Sequence, residues 1–341
     1  MKVLGIETSC DECAASVVED GKKILSNIVA TQIPFHAEYN GVVPEIASRM
    51  HTEWISLVVG EALEAASMKS SDVDAIAASA HPGLLGSLLV GLSFAKAFAW
   101  AADIPFLAVD HMLSHLYAPM LEFDDIEYPF LGLLVSGGHT IICRADDFDD
   151  IKVLGTTIDD AAGEAFDKVS KHYGFGYPGG YVIDNLSQKG NSNAFNFPLP
   201  SLHKSLHKGD HKYDVSYSGL KTAAINQLEK FRVAETYDMH DIAASFQKTA
   251  VEILLRSLFR AVEDTGLKTI VAGGGVAANS YLRAALSERQ DLRVIFPSLS
   301  LCGDNAAMVA GIAHCYFARG ESSSLRVSAS ARVKKFKRQG R

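Results

Sequence analysis

Two histidines, His111 and His115, stand four residues apart in a segment whose apolar residues recur at helical spacing. Side chains four apart on an α-helix share one face, with Cβ atoms about 5–6 Å apart, so two neutral imidazoles can bind one divalent metal ion. The same pattern also fits two polar histidines at the start of a helix. A third ligand has to come from elsewhere in the chain. An apolar run at 104–109 predicts a buried strand that leads into this helix.

Three carboxylates are candidates for the same site. Asp304 stands at the predicted start of the last helix, where an aspartate is ordinarily a cap; the alternative is that it supplies the missing metal ligand. Two histidines and one carboxylate leave coordination positions open, which is typical of a catalytic rather than a structural metal. Asp11 and Glu12 follow the first predicted strand, where they would lie in a cleft. Cys10 and Cys13 form a CxxC, but the chain has no second CxxC and we interpret the spacing as coincidental.

Small residues and hydroxyls occupy the turns after three predicted strands. Residues 7–12 and 134–138 take corresponding positions in the two halves of the chain, and Gly273-Gly274-Gly275 follows a later strand. Backbone N–H groups in such turns can face an anion such as a phosphate, although a glycine-rich hairpin turn has the same composition. The recurrence favours a nucleotide-like ligand, and no segment has the P-loop or dinucleotide-binding fingerprint.

The order of the predicted elements repeats along the chain, with three short strands followed by alternating helices and strands in each half. The predicted strands span residues 3–6, 14–18, 23–29, 73–79, 104–109, 130–135, 140–144, 151–157, 269–272 and 292–296. One predicted helix begins at Pro44, and the others span residues 86–101, 112–120, 161–172, 218–230, 241–265, 280–288 and 304–318. The repeat predicts two similar α/β lobes whose mixed sheets face each other across a central cleft.

Length and composition agree with a two-lobed globular protein. The chain has 341 residues, of which 48% are hydrophobic and 21% charged, and its net charge of −8 excludes nucleic-acid binding through overall charge. Residues 203–212 and 332–341 are local basic exceptions, which are either solvated surface or phosphate contacts. We count no apolar run of membrane-spanning length, and the chain reaches Glu7 too early for a signal peptide. With five scattered cysteines, this predicts a cytoplasmic protein without membrane association.

Nine motifs, taken together and in order, resemble the bacterial TsaD family of tRNA adenosine threonylcarbamoyltransferases, formerly labelled O-sialoglycoprotein endopeptidases. They are GIETSCDE at 5–12, GVVPEIASR at 41–49, HPGL at 81–84, HMLSH at 111–115, LVSGGHT at 134–140, DDAAGEAFDK at 159–168, SYSGLKT at 216–222, GGGVAAN at 273–279 and DNAAM at 304–308. The resemblance implies an α/β fold of two actin-like ATPase (ASKHA, ribonuclease H-like) lobes. We expect the lobes at 1–128 and 129–320, with an irregular insert around 175–216 in the second, and a basic tail at 321–341.

The resemblance also implies a ligand for each part of the cleft. His111, His115 and Asp304 would hold one divalent metal ion, with Fe²⁺ expected first and Zn²⁺ as the alternative. The donor substrate would be threonylcarbamoyl-AMP. Its phosphate and threonylcarbamoyl portions would lie near Leu134, Val135, Ser136, Gly137 and Gly138. Its adenosine would lie against Asp167, Gly180, Asp184 and Asn279.

The acceptor implied by the resemblance is N6 of the adenosine at position 37, beside the anticodon, in tRNAs that read codons beginning with A. That amine is a poor nucleophile, so we interpret Asp11 as the group that positions or deprotonates it, with Glu12 as the alternative. The partners in the bacterial family are a paralogous actin-like protein and a small P-loop ATPase. Asp110, where the family usually has asparagine, would add negative charge near the metal or orient His111. Cys13 stands where threonine or serine is usual.

Three other functions compete with this interpretation. A metallopeptidase would agree with the former family label, but Met112 stands where the HExxH motif has its glutamate base. A sugar kinase or actin-like ATPase would share the fold, yet such an enzyme has no need of the paired histidines. An inactive scaffold for a partner enzyme would not need the two histidines together with Asp304 and Asp11.

Overall fold

The computed structural model describes residues 1–199, 211–234 and 238–336, and its strands form two five-stranded sheets. The first sheet contains β1 (Lys2–Glu7), β2 (Glu12–Glu19), β3 (Lys23–Thr31), β4 (Ala75–His81) and β5 (Phe106–Asp110). The second contains β6 (Phe130–Val135), β7 (Thr140–Ala145), β8 (Ile151–Thr156), β9 (Thr269–Gly273) and β10 (Arg293–Ile295). The strand orders, β3-β2-β1-β4-β5 and β8-β7-β6-β9-β10, are the same. In each sheet the first three strands pair antiparallel and the last two join in parallel, so the expected two lobes with mixed sheets are confirmed.

The helices surround these sheets. Those of the first half are α1 (Ile33–Ala37), α2 (Pro44–Ala65), α3 (Leu85–Ala102) and α4 (His111–Tyr117). Those of the second half are α5 (Ala162–Tyr173), α6 (Gly179–Ser187), α7 (Ser218–Ala234), α8 (Met239–Thr265), α9 (Ser280–Ser287), α10 (Leu299–Cys302) and α11 (Ala306–Ala318). Pro44 begins α2 because the first turn of a helix has no partner for an N–H group, so proline costs nothing there.

The sequence prediction contains no helix at the short α1 and α10, and it also differs from the structure at α6 and α11. Helix α6 lies within the segment 175–216 that the sequence predicts to be irregular; its first two residues are glycines, which are weak helix formers, and packing against α5 and α8 stabilises it. Helix α11 begins at Ala306, and its cap is Asn305, whose side chain accepts a hydrogen bond from the Met308 amide. The prediction that Asp304 starts this helix is therefore wrong, and the Asp304 carboxylate does not serve as its cap.

Helix α3 corrects the statement that no apolar run is long enough to cross a membrane. Within the part of the chain that the structure describes, it is the one helix that passes this test by length and composition, with 18 residues. Its Leu92, Ala95 and Ala99 are buried in the core of the first lobe. One such helix is weak evidence for a membrane span, because a core helix of a globular protein has the same composition.

Helices α4 and α11 cross between the lobes. Helix α4 follows β5 of the first sheet but packs against β6 and β9 of the second, and α11 follows the second sheet but packs against β1, β2 and β4. Two glycines permit these close contacts. A Cβ on Gly5 would lie 2.3 Å from the Ala306 carbonyl oxygen, and a Cβ on Gly273 would lie 2.3 Å from the His115 carbonyl oxygen. The crossing places the ends of both helices beside each other at the centre of the molecule.

The described part of the basic tail, residues 321–336, lies along the edge of the first sheet. The Ser323 amide donates to the Phe106 carbonyl oxygen at 2.7 Å, and the Ala108 amide donates to Ser323 Oγ at 3.0 Å. Further along, the Ser330 amide donates to the Ala80 carbonyl oxygen at 2.9 Å, and Phe336 is buried. The tail thereby covers the exposed edge of β5 and continues next to the end of β4.

Candidate metal centre and substrate cleft

His111, His115 and Asp304 converge where α4 meets the segment before α11. Asp110 caps α4, because its Oδ1 accepts hydrogen bonds from the Met112 and Leu113 amides at 2.9 and 3.2 Å. The two imidazole rings lie 4.6 Å apart, as the i, i+4 spacing predicts. Asp304 Oδ1 lies 3.0 Å from His115 Nε2 and 3.6 Å from His111 Nε2. One ligand atom from each of the three residues lies within 4.8 Å of the others, so this group can hold a metal ion.

The electrostatics of the triad favour a bound cation. Burial acts to raise the pKa of Asp304, but the charge of His111 and the hydrogen bond from His115 hold that pKa well below its usual range. Burial acts to lower the pKa of His111, but the carboxylates of Glu7 and Asp304 raise it to about 9. A positive charge, whether a proton or a metal ion, is therefore stabilised where these groups meet. Two imidazoles and a carboxylate are also donors that suit zinc and ferrous iron.

The triad borders a cleft of about 500 Å³ between the lobes. Tyr177 and Pro178 also line it. The predicted site residues that line the cleft are Asp11, Glu12, His111, Ser136, Gly137, Gly138, Asp167 and Asp304. Those that do not line it are Leu134 and Val135, buried within β6, together with His115, Gly180, Asp184 and Asn279. Asp11 and the Ser136 turn thus belong to one cavity, although 125 residues separate them in the chain.

The turn at 136–139 offers backbone rather than side-chain contacts to a ligand. The Ser136 amide donates to the His139 carbonyl oxygen at 2.8 Å, and the His139 amide donates to Ser136 Oγ at 3.1 Å. Gly137 and Gly138 are exposed, and an added Cβ on either would have no atom within 4 Å. No lysine or arginine occurs among the described residues that line the cleft. A phosphate there would therefore depend on backbone N–H groups and a metal ion.

Two of the residues expected to contact adenosine, Asp184 and Asn279, belong to a polar network that joins α6, α8 and α9. Asp184 accepts hydrogen bonds from Gln247 Nε2 at 3.0 Å and Ser280 Oγ at 2.6 Å. Asn279 donates to Gln247 Oε1 at 3.0 Å and caps α9. Asp167, on the cleft side, accepts from the Gly179 amide at 2.7 Å. Gly180 follows directly in the first turn of α6. Of the four residues expected to contact adenosine, Asp167 lines the cleft, whereas Gly180, Asp184 and Asn279 do not.

Comparison with known proteins identifies the family. The family model described as TsaD, tRNA N6-adenosine threonylcarbamoyltransferase, matches residues 23–311. The chain belongs to this family. The resemblance drawn from the sequence motifs is therefore confirmed, and with it the assignment to a family of transferases that modify tRNA.

Curated relatives with the same name cover the full chain. A Treponema denticola protein named tRNA N6-adenosine threonylcarbamoyltransferase is 64% identical over all of both chains. A Treponema pallidum protein of that name is 54% identical over all of this chain and 96% of its own length. A Borreliella burgdorferi protein of that name is 49% identical over all of this chain and 97% of its own. These relatives have the length and the family membership of this chain.

Solved structures of low sequence identity share the fold. Component A of (R)-2-hydroxyglutaryl-CoA dehydratase from Acidaminococcus fermentans superposes with a TM-score of 0.56 at 15% identity, covering 93% of this chain and 99% of its own. Full-length HypF superposes with a TM-score of 0.59 at 15% identity, covering 94% of this chain and 47% of its own. At this identity the likeness concerns the fold alone, and it agrees with the expected actin-like architecture.

The two candidate catalytic carboxylates of this TsaD-family chain have different surroundings. Burial and the neighbouring Asp11 carboxylate raise the pKa of Glu12 well above its usual range, which favours the protonated form of Glu12. A protonated carboxyl donates a hydrogen bond but does not accept a proton. Asp11 lies beside it, largely buried, and it lines the same cleft. Of the two groups, Asp11 is therefore the better candidate for a general base.

One polar contact of the metal centre was missed by sequence reasoning, which counted Glu7 only as part of a turn. Glu7 is fully buried, and its Oε2 lies 3.0 Å from His111 Nδ1. Of the two roles expected for Asp110, its Oδ1 does not orient His111 but accepts from the Met112 and Leu113 amides. Its negative charge does act near the metal centre, where it helps to raise the pKa of His111. The signal available in the sequence was a glutamate that ends a buried apolar strand with no lysine or arginine beside it.

Proposed function

We propose that this chain transfers the threonylcarbamoyl group of threonylcarbamoyl-AMP to N6 of the adenosine beside the anticodon, in tRNAs that read codons beginning with A. The observation that carries the proposal is the triad of His111, His115 and Asp304 at the wall of a cleft lined by Asp11 and the Ser136 turn. The triad would hold one divalent metal, Fe²⁺ first and Zn²⁺ as the alternative. When bound, the metal supplies Lewis-acid polarisation of the donor.

The residues of the chain then perform the remaining tasks. Backbone N–H groups of Gly137 and Gly138 orient the phosphate of the donor, and the network of Asp184 and Asn279 supports the wall against which its adenosine lies. Asp11 positions the N6 amine and accepts its proton as the N–C bond forms. The bond between the carbamoyl carbon and the phosphate oxygen breaks, and AMP leaves with the electron pair. The acceptor base enters the cleft from an anticodon loop, where unstacking costs less than in a duplex.

We propose the tail as a contact for tRNA phosphates. Arg332, Lys334 and Lys335 are exposed, and the tail is tied to β4 through the bond between Ser330 and the Ala80 carbonyl oxygen. Pro82, two residues beyond Ala80, lines the cleft. The tail therefore supplies positive charge beside the cleft of an acidic protein. Most of the other basic segment, 203–212, and the tail residues 337–341 lie outside the described residues.

Removal of these tail charges tests that contact. Alanine at Arg332, Lys334 and Lys335 together should reduce the slope of log affinity for tRNA against log salt by about 2, since each phosphate contact contributes roughly 0.7–0.9. The matched control is K152A/K268A/R293A, which removes three exposed cations outside the tail. An equal loss of slope in both variants would mean that the tail has no particular role.

The partners and the compartment are also proposals. We propose that the chain works with a paralogous actin-like protein and a small P-loop ATPase, which the family resemblance implies. A tRNA substrate and five free cysteines support a cytoplasmic location. A metallopeptidase with the HExxH motif would need a glutamate base where this chain has Met112. An ATPase would need cationic side chains near the phosphates, and none occurs among the described residues that line the cleft. Neither alternative gains support from a described contact.

The decisive experiment is transfer from labelled threonylcarbamoyl-AMP to unmodified tRNA. We expect transfer by the intact chain with its partners, and a loss of transfer in H111A. Proteolysis that a chelator abolishes would favour the metallopeptidase, and rapid ATP turnover by the isolated chain would favour the ATPase. Failure of transfer with both partner proteins present would refute the proposal.

A further inference from the structure

The buried carboxylate of Glu7 makes its contacts on the side of His111 that faces away from Asp304. Glu7 Oε2 lies 3.0 Å from His111 Nδ1, whereas His111 Nε2 lies 3.6 Å from Asp304 Oδ1. Ser9 Oγ also lies 3.2 Å from Nδ1, so Glu7 is the nearer of two partners on this side of the ring and the one that carries charge. Glu7 itself is 0% exposed and does not line the cleft, so it does not reach a substrate.

We propose that Glu7 is a positioning residue of the metal centre, which fixes the tautomer and the ring orientation of His111. By accepting a hydrogen bond from the N–H group at Nδ1, the carboxylate keeps the proton on that nitrogen and leaves the lone pair of Nε2 free to bind a metal ion beside Asp304 and His115. The proposal rests on the proposed metal centre, and it adds a residue that determines how tightly the metal is held.

The other contacts of Glu7 explain why a carboxylate is needed at this position. Oε1 accepts a hydrogen bond from the Ser9 amide at 2.5 Å, and Oε2 accepts from the Ser79 hydroxyl as well as from His111. Both oxygens therefore face donors. An amide in place of the carboxylate has only one oxygen, so its NH₂ group must point at a donor.

Either orientation of that amide has a cost. With NH₂ at the Oε1 position, the Ser9 amide loses its acceptor inside the protein. With NH₂ at the Oε2 position, His111 is pushed to the opposite tautomer, whose Nε2 carries a proton and does not bind a metal. Both orientations also remove the negative charge beside the ring. A glutamine at position 7 therefore has nearly the right shape but cannot perform the same task.

The test measures metal binding rather than activity. The chain, freed of metal, is titrated with Zn²⁺ against a chromophoric chelator, and the Co²⁺-loaded protein is examined by its d–d absorption. We expect E7Q to bind one Zn²⁺ with an affinity about 10–100-fold weaker than the unaltered chain, and to give a changed Co²⁺ spectrum. A glutamate that served the fold alone would leave the metal affinity and the spectrum unchanged in the folded variant.

Asp214 offers a matched control, because it is another buried carboxylate that bonds the Nδ1 of a histidine. Its Oδ2 lies 2.6 Å from His211 Nδ1, and its Oδ1 accepts from the Thr156 amide at 2.9 Å. D214N makes the same chemical change away from the metal centre, so we expect reduced stability but unchanged metal affinity and Co²⁺ spectrum. Equal affinities of E7Q and D214N would overturn the role of Glu7.

The remaining outcomes are also decisive. If E7Q does not fold, E7D replaces it, because aspartate keeps the charge but is one methylene shorter and cannot maintain the contact with Nδ1. We expect E7D to weaken Zn²⁺ binding by about threefold or more, and an unchanged affinity would overturn the proposal. If the unaltered chain binds no metal, the metal centre itself is wrong. If the unaltered chain and D214N bind metal and E7Q binds it equally tightly, only the role of Glu7 is wrong.

Discussion

The substitution Gly5→Ala perturbs the crossing of the two lobes at its closest point. A Cβ at Gly5 would lie 2.3 Å from the Ala306 carbonyl oxygen and 2.8 Å from the Ala310 amide nitrogen. An ordinary contact between carbon and oxygen is roughly 3.4 Å, so α11 has to move away from β1 by about 1 Å. Both neighbours are backbone atoms of a buried helix and cannot rotate away. We therefore expect a loss of about 3 kcal/mol in the free energy of unfolding, at the upper end of ordinary overpacking.

The same movement should reach the metal centre, since Asp304 lies two residues before α11. Asp304 Oδ1 is 3.0 Å from His115 Nε2, and a displacement of about 1 Å breaks this geometry. We expect G5A to reduce the transfer rate by about 100-fold at a temperature at which it remains folded. Urea unfolding followed by circular dichroism measures the stability, and single-turnover transfer measures the rate.

Gly60 in α2 provides the control with the opposite sign. It is exposed, and an added Cβ would have no atom within 4 Å. Alanine there should stabilise the chain by about 0.5–1 kcal/mol through helix propensity, without an effect on transfer. If G5A were as stable and as active as G60A, the explanation of the lobe crossing would be wrong.

Two further predictions concern the cleft and acid stability. D11N should lower transfer by about 100-fold or more, because an amide cannot accept the proton of N6. E12Q should retain activity within about threefold, since the protonated form of Glu12 is already favoured. Equal losses in the two variants would contradict this division of roles. Burial and the charges of Lys334 and Lys335 lower the pKa of His81 to about 4. Below about pH 6.5, His81 therefore binds a proton in the unfolded chain but stays neutral in the folded chain. The free energy of unfolding should therefore fall on acidification, and the stability of the intact chain relative to H81Q should decrease by about 1 kcal/mol between pH 7.5 and 5.5. Burial raises the pKa of Asp110 to about 6, which acts in the opposite direction, and Asp110 Oδ2 lies 3.5 Å from His81 Nε2. Both proteins are therefore also compared in a D110N background, where a constant difference between them would refute the role of His81.

The duplicated fold was predictable because its signals are local. Apolar runs of five or six residues indicate strands, and the boundaries of β6 match the prediction residue for residue. The helical periodicity of apolar residues indicated α2 and α8. It missed α6, whose glycine-rich start has low intrinsic helix propensity and whose stability comes from contacts with α5 and α8.

The metal triad was predictable from spacing for two ligands and from the family resemblance for the third. His111 and His115 are neighbours on one helix, so their distance follows from helix geometry. Asp304 approaches them only because α4 and α11 cross between the lobes, which no local pattern contains. Glu7 was missed for the same reason, since its contact with His111 joins residues 104 positions apart. Long-range contacts of this kind depend on the tertiary fold.

The measurement that tests the central claim most directly is single-turnover transfer by a chain stripped of metal, before and after one equivalent of Fe²⁺ or Zn²⁺ is restored. The tRNA is then digested and its modified nucleoside is quantified by mass spectrometry. We expect transfer to be lost on stripping, to return with one metal ion per chain, and not to return in D304N. Full transfer by the stripped chain, or by D304N without metal, would contradict the claim that transfer requires a metal ion held by His111, His115 and Asp304.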